Sequence, residues 1–115
     1  MNIDSLESHE ISGVMFIRDY IQFLFEGERG SGILTTYNSP MAVVNGQRYK
    51  RNTAGYRDIL CSLINKIVEK SEVTDDRKIK ITFENCVELV VPLEVDENEG
   101  FEAAMLRIGD TITVW

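Results

Sequence analysis

The single histidine and the two cysteines are the residues that could act as a general base or a nucleophile. His9 lies in a polar N-terminal stretch, so we expect a solvated side chain without the partners that orient a general base. Cys61 and Cys86 are 25 residues apart and neither belongs to a Cys-x-x-Cys pair. This spacing predicts reduced thiols with packing roles rather than a disulfide framework or a zinc site. The chain also lacks the sequence motifs of serine hydrolases, zinc proteases and phosphate-binding loops. We therefore predict no catalytic residues and no cofactor.

Pairs of carboxylates are the remaining candidates for catalysis. Two acids roughly 5 to 10 Å apart can hydrolyse a glycosidic bond when burial turns one of them into a proton donor. Asp75 with Asp76 and Glu97 with Glu99 are such pairs, but both lie in highly polar turns where nothing raises a pKa. The segment 96–100 also lacks the pattern of a calcium-binding loop, so we predict no metal. A small carbohydrate- or small-molecule-acting enzyme stays open as an alternative.

Charge is distributed unevenly along the chain. Nineteen acids and 12 bases give a net charge of −7, which argues against a nucleic-acid ligand. Seven acids and no base lie between Glu84 and Glu102, whereas four bases lie between Arg48 and Arg57. A dense acidic stretch attracts a basic partner, and Phe101 adds an apolar anchor within it. The predicted partner-binding residues are Glu94, Asp96, Glu97, Glu99, Phe101 and Glu102.

Apolar patterning predicts a chain made mostly of short strands. We expect hairpins from 14–17 with 20–25, from 41–44 with 47–49 and from 103–108 with 111–115, and further strands over 33–37, 67–73, 78–83 and 87–91. A helical turn over 101–107 is the alternative to the first strand of the last hairpin. Asn45-Gly46 readily forms the type I′ turn of a hairpin. The apolar residues of 14–25 are almost continuous, which predicts burial on both faces near the centre of a sheet. The Gly-rich segment 26–32 is expected to be a flexible loop.

One segment has the periodicity of a helix. Ile59, Leu60, Leu63 and Ile64 follow the spacing of one helical face, which predicts a helix over about 55–66. We therefore predict an α+β fold in which a single twisted antiparallel sheet of about eight or nine short strands packs on this helix. Residues 1–10 form a polar N-terminal arm, and residues 11–115 form the single domain. The predicted core comprises Phe16, Phe23, Leu60, Leu63, Ile64, Ile79, Ile81, Phe83, Leu89 and Val91.

The sequence has no long apolar run and no signal-peptide pattern at its start, so we expect a cytoplasmic protein that does not enter a membrane.

Several segments resemble a widespread group of small uncharacterised bacterial proteins. The similar segments are Gly55–Ile64, Ile81–Asn85, Glu102–Leu106 and Val114–Trp115, within a region of similarity over residues 45–115. Phe101 is a departure, because such proteins often have Pro at this place. The resemblance carries no chemistry, since the group has no established activity.

In its size, acidity and lack of catalytic groups the chain looks like the immunity proteins of contact-dependent growth inhibition systems, which bind and neutralise bacterial toxins. This likeness is one of type, and it assigns no residue roles. It implies a partner that is a basic toxin domain, most simply a nuclease whose active-site cleft the acidic stretch covers. A non-catalytic adaptor or a homo-oligomeric binding module is the alternative. The oligomeric state is left open.

Overall fold

The structure, a computed structural model, describes residues 3–28, 30–94 and 102–115. These residues form ten β-strands, one short α-helix and one 3-10 turn. The strands are β1 (Glu10–Ile17), β2 (Tyr20–Gly27), β3 (Gly30–Thr36), β4 (Met41–Val44), β5 (Gln47–Tyr49), β6 (Val68–Val73), β7 (Lys78–Phe83), β8 (Val87–Pro92), β9 (Ala104–Ile108) and β10 (Thr111–Val114). The helix α1 covers Tyr56–Cys61, and the 3-10 turn covers Ile3–Leu6.

The strands form two antiparallel sheets of five strands each. The first sheet has the order β1-β2-β3-β9-β10, and the second has the order β5-β4-β8-β7-β6. The prediction of a single sheet packed on one helix is therefore wrong. The described part of the chain is mostly β, and its two sheets enclose one hydrophobic core.

The prediction of one sheet is wrong for a physical reason. A hairpin joins residues that are close in sequence, whereas the pairing of one hairpin with another strand joins residues that are far apart. The predicted hairpins β1–β2, β4–β5 and β9–β10 are all confirmed. The pairings that assemble the sheets, β3 with β9 and β4 with β8, join strands that are far apart in sequence. The chain crosses to the second sheet between Thr36 and Met41 and returns between Pro92 and Ala104. No local sequence pattern predicts these two connections between the sheets.

The turn between β4 and β5 has the predicted conformation. Asn45 has a φ of 52° and Gly46 a φ of 83°, so both central residues are left-handed as a type I′ turn requires.

The core contains side chains from both sheets and from α1. Of the ten predicted core residues, eight are buried, and Phe16 and Ile64 are partly buried and packed against the core. The register of β3 with β9 places Leu34 opposite Leu106, and that of β7 with β8 places Ile81 opposite Leu89. All four of these side chains are fully buried.

The helix is shorter than predicted. It begins after Gly55, whose φ of 80° is left-handed, and it ends at Cys61 rather than near residue 66. Asn65 has a φ of 75° and donates its N–H to the carbonyl of Ile11 in β1, so the segment leaves the helical path to join the first sheet. Leu63 is nevertheless fully buried beyond the helix end.

The N-terminal segment packs on the second sheet. Ile3 and Leu6 are buried, and the carbonyl of Ile3 accepts a hydrogen bond of 2.6 Å from Ser71 Oγ in β6. His9 is 4% exposed, so the prediction of a solvated histidine is wrong. Its backbone carbonyl accepts a hydrogen bond from the N–H of Val68, which fastens the segment to the start of β6.

The segment 26–32 is largely strand rather than flexible loop. β2 continues to Gly27, β3 begins at Gly30, and these two glycines are paired across the strands.

Candidate protein-binding face and adjoining cleft

The first sheet has one face on the core and one face turned away from it, and we name the second its outer face. Successive residues of a strand alternate between the two faces. The strand registers place on the outer face Glu10, Met15, Ile17, Tyr20, Gln22, Leu24, Glu26, Ser31, Ile33, Thr35, Met105, Arg107, Ile112 and Val114, with Tyr37 directly after β3. Most of these side chains are apolar or aromatic.

The apolar residues of the outer face extend across all five strands. One cross-strand row runs from Met15 through Gln22, Thr35 and Met105 to Val114. Met15 and Val114, at its two ends, are 45% and 46% exposed. The row therefore presents apolar side chains to solvent at both edges of the sheet.

The neighbouring row has the same character. It runs from Leu24 through Ile33 and Arg107 to Ile112, which is 54% exposed. Arg107 is the charged residue in these two rows. The row beyond Leu24 is acidic, because the register pairs Glu10 with Glu26 there and both side chains are exposed.

Polar contacts order the middle of the outer face. Gln22 Nε2 donates to Thr35 Oγ1 at 3.1 Å, and the rings of Tyr20 and Tyr37 form an edge-to-face pair with centroids 5.9 Å apart. Such pairs hold aromatic side chains in fixed orientations.

The outer face corrects the expectation that 14–25 is buried on both faces. Phe23 and Phe25 point into the core and are fully buried, whereas Met15 and Ile17 remain exposed. In the sheet, β1 is an edge strand rather than a central one. Within the part of the chain that the structure describes, the continuous apolar run therefore has one face that no other layer covers.

Two of the predicted partner-binding residues, Glu94 and Glu102, lie beside this face. Glu94 and Glu102 are both exposed. Asn38 Nδ2 donates to the carbonyls of Pro92 and Glu94, at 2.8 and 2.9 Å, and the N–H of Tyr37 donates to the carbonyl of Ala103. The other predicted partner-binding residues lie outside the described residues: Asp96, Glu97, Glu99 and Phe101.

A cleft of about 680 Å³ lies at the same end of the first sheet. One wall comes from the β1–β2 turn and the end of β3, and the other from the segment 51–58. The lining includes Phe16, Arg18, Tyr20, Tyr37, Arg51 and Arg57. The cleft therefore combines cationic and aromatic side chains.

The wall formed by 51–58 is held in place by hydrogen bonds. The hydroxyl of Tyr56 donates to the carbonyl of Pro40, and Thr53 Oγ1 accepts the N–H of Lys50 at 2.9 Å. Burial raises the pKa of Tyr56 to about 12, against the opposing effect of the positive charge on Arg51. The Tyr56 hydroxyl therefore keeps its proton and acts as a hydrogen-bond donor at neutral pH.

No site was predicted at this cleft from the sequence. Its bases were visible as the cluster between Arg48 and Arg57, but their aromatic neighbours come from β1, β2 and the end of β3. No sequence spacing relates these strands to the segment 51–58.

The other residues considered for chemistry lie apart from the cleft. Cys61 and Cys86 are free and exposed, so the prediction that they have packing roles is wrong. A hydrogen bond from Thr74 and the neighbouring Lys78 hold the pKa of Asp76 below its ordinary value, which is the opposite of what a proton donor requires. Within the described residues, no cluster of His, Cys, Asp and Glu could hold a metal ion.

No helix in the described ranges has the length and apolar character needed to cross a membrane.

Comparisons of this chain with protein-family models, with curated proteins and with solved structures gave no match.

Proposed function

We propose that this chain is a protein-binding module that neutralises a bacterial toxin, as immunity proteins do, in the cytoplasm. The partner is a basic toxin domain, most simply a nuclease. It is held against the outer face of the first sheet, with the acidic stretch at its edge. Inhibition requires stoichiometric binding and no catalysis by this chain.

The apolar outer face is the observation that supports this proposal. Exposed apolar patches that are continuous across a surface are typical of protein interfaces. At about 4.8 Å between strands and about 3.3 Å per residue, five strands of up to eight residues present an area of about 20 by 25 Å. Such an area, about 500 Å², is more than half of the about 800 Å² that each partner buries in a standard interface.

Acidic residues at the rim of the outer face support the proposal of a basic partner. Known interfaces have an apolar centre and a polar rim. Here the rim includes Glu94 and Glu102, which are both exposed. A basic nuclease cleft placed beside this rim would be attracted to it, since complementary charge speeds association and disfavours wrong partners.

The proposal is tested with a toxin domain encoded beside this gene. Cells that express the toxin should grow when the wild-type chain is co-expressed. The double substitution Met15→Lys and Val114→Lys should abolish protection and weaken binding of the purified toxin by at least about 2 kcal/mol, because it places a charge at each end of the apolar row.

Val73→Lys is the matched control. Val73 is 43% exposed on the edge strand β6 of the second sheet, so it resembles Val114 in size, exposure and strand position. This variant should protect cells as the wild type does. Equal affinity of the double variant and the wild type would place the interface elsewhere, and a toxin that is not bound at all would refute the immunity role.

The apolar rows of the outer face also favour a second candidate, a homo-oligomeric binding module. Two copies could pair by burying these rows against each other, since a two-fold interface uses the same surface on both copies. Sedimentation equilibrium distinguishes the candidates: a dimer that the Met15→Lys and Val114→Lys substitutions convert to a monomer supports self-association, whereas a wild-type monomer excludes it.

A further inference from the structure

The cleft beside the segment 51–58 has the size of a small-ligand site. Its volume of about 680 Å³ lies within the range of about 300 to 1,000 Å³ that is usual for such sites. Its walls are β-structure and a segment fixed by hydrogen bonds from Tyr56 and to Thr53. A ligand would therefore enter a formed cleft without ordering a loop.

Three guanidinium groups line the cleft, from Arg18, Arg51 and Arg57. Within the described residues none of them forms a salt bridge, although the protein has an excess of acids. A guanidinium group presents paired N–H donors that fit the oxygens of a phosphate group. These side chains are thus available to an anion.

Aromatic rings lie beside these cations. Tyr20 and Tyr37 form the edge-to-face pair on one wall, and Tyr37 is exposed. On the other wall, the guanidinium carbon of Arg57 lies 5.7 Å from the centre of the Phe16 ring. Planar groups of this kind stack on a flat aromatic ligand.

Two carboxylates in the cleft limit the kind of anionic ligand that it can bind. Asp19 and Asp58 also line the cleft, so its charged side chains sum to +1, from three arginines and two aspartates. A nucleic-acid strand has a phosphate at every nucleotide, so phosphates beyond the one at the arginines would lie against the aspartates. A single phosphate ester that also has hydroxyl or amino groups would use the arginines for its anion and the aspartates as hydrogen-bond acceptors.

We propose that the cleft binds a nucleoside monophosphate. The phosphate contacts the arginines, the base stacks against Tyr37, and the aspartates accept hydrogen bonds from the sugar hydroxyls. This site shares Tyr20 and Tyr37 with the outer face, whereas its charged residues lie in the β1–β2 turn and in the segment 51–58.

Amide chemical shifts of the full chain, titrated with adenosine monophosphate, adenosine and inorganic phosphate, test the site. Adenosine monophosphate should shift the amides of Tyr20, Tyr37 and Thr53, and should bind at least about tenfold more tightly than either fragment. The double variant Arg18→Gln and Arg51→Gln should lose at least about tenfold in this affinity. Arg48→Gln is the matched control, since Arg48 is an exposed arginine outside the cleft, and it should bind as the wild type does.

A second variant separates the two halves of the ligand. Tyr37→Ala should weaken binding of adenosine monophosphate and leave that of inorganic phosphate unchanged. Equal affinity for the nucleotide and inorganic phosphate would overturn the nucleotide assignment. An absence of shifts, or unchanged nucleotide binding in a folded Arg18→Gln and Arg51→Gln variant, would overturn the site. None of these substitutions involves Met15 or Val114, so the two proposals can fail separately.

Discussion

The imidazole ring of His9 lies directly against Gly27, where a Cβ atom would come within 2.9 Å of ring atoms Cγ and Cδ2. Histidine and glycine come from the N-terminal segment and from the end of β2, so this contact joins the segment to the first sheet. His9 Nε2 is buried without a hydrogen-bond partner among the described residues. The ring is therefore held by packing and by a single long contact of 3.4 Å between Nδ1 and the carbonyl oxygen of Glu7.

Gly27→Ala is expected to destabilise the fold by about 1 to 3 kcal/mol, because the added methyl group and the ring cannot occupy the same space. Urea denaturation measures this change. Gly13→Ala is the control, since its Cβ would meet Leu24 at an ordinary 3.7 Å. In a His9→Ala background the cost of Gly27→Ala should fall, and an unchanged cost there would show that the ring is not its cause.

Tyr56 makes stability depend on pH in the alkaline range. Burial raises its pKa from 10.0 to about 12, so the fold favours the neutral phenol. Relative to the fully ionised state, the neutral Tyr56 phenol stabilises the folded protein by about 2 to 3 kcal/mol. This difference in unfolding free energy is fully present below pH 10 and is lost as the pH rises through about 12.

Tyr56→Phe should cost about 1 to 3 kcal/mol at neutral pH, because the buried carbonyl of Pro40 loses its donor. The difference in unfolding free energy between wild type and this variant should shrink as the pH approaches 12. Chemical denaturation at several pH values measures it. Tyr37→Phe, at an exposed tyrosine, should show no such trend; a constant gap for Tyr56→Phe would contradict the assignment.

The same substitution at the two cysteines should have opposite effects. Cys86 has a φ of 60°, in the left-handed region that glycine adopts without strain, so Cys86→Gly should stabilise the fold by about 0.5 to 1 kcal/mol. Cys61 ends α1, where Cys61→Gly should destabilise by up to about 1 kcal/mol. Thermal unfolding under reducing conditions compares both variants with wild type, and a loss of stability in Cys86→Gly would contradict the argument from φ.

Local signals in the sequence predicted most of the strands. Asn45-Gly46 marked its turn, and the alternation of Ile79, Ile81 and Phe83 identified the core face of β7. The division into two sheets was missed because it depends on pairs such as Thr35 with Met105, which no turn connects. The helix was overextended because Leu63 continues the apolar stripe in a segment that is no longer helical.

The candidate sites were less predictable than the strands. The apolar run through Met15 and Ile17 was visible, but a sequence does not distinguish an apolar face that is covered from one that remains exposed. The cleft depends on Arg51 lying across from Tyr37, a relationship set by the packing of the two sheets. The role of the acidic stretch stays a prediction.

Replacing three acidic residues by lysine tests whether the acidic stretch contacts the toxin. Replacing Asp96, Glu97 and Glu99 by Lys should weaken binding by several kcal/mol, because like charges would then face the basic cleft. Association of the wild type should also slow as salt rises, since the Debye length falls from about 10 Å at 0.1 M to about 3 Å at 1 M. Surface-immobilised kinetics at several salt concentrations measure both effects.

A charge-matched variant separates a local effect from a change in total charge. Glu7, Asp75 and Glu84 are exposed acids outside the acidic stretch's 94–102 segment, and their replacement by Lys changes the net charge by the same amount. If the stretch contacts the toxin, this control should lose much less affinity than the reversal of Asp96, Glu97 and Glu99, because its new charges lie away from the interface. Equal losses in the two variants would mean that the toxin responds to the overall field of an acidic protein. Unchanged affinity in both would leave the outer face of the first sheet as the whole interface and the acids as solvated surface.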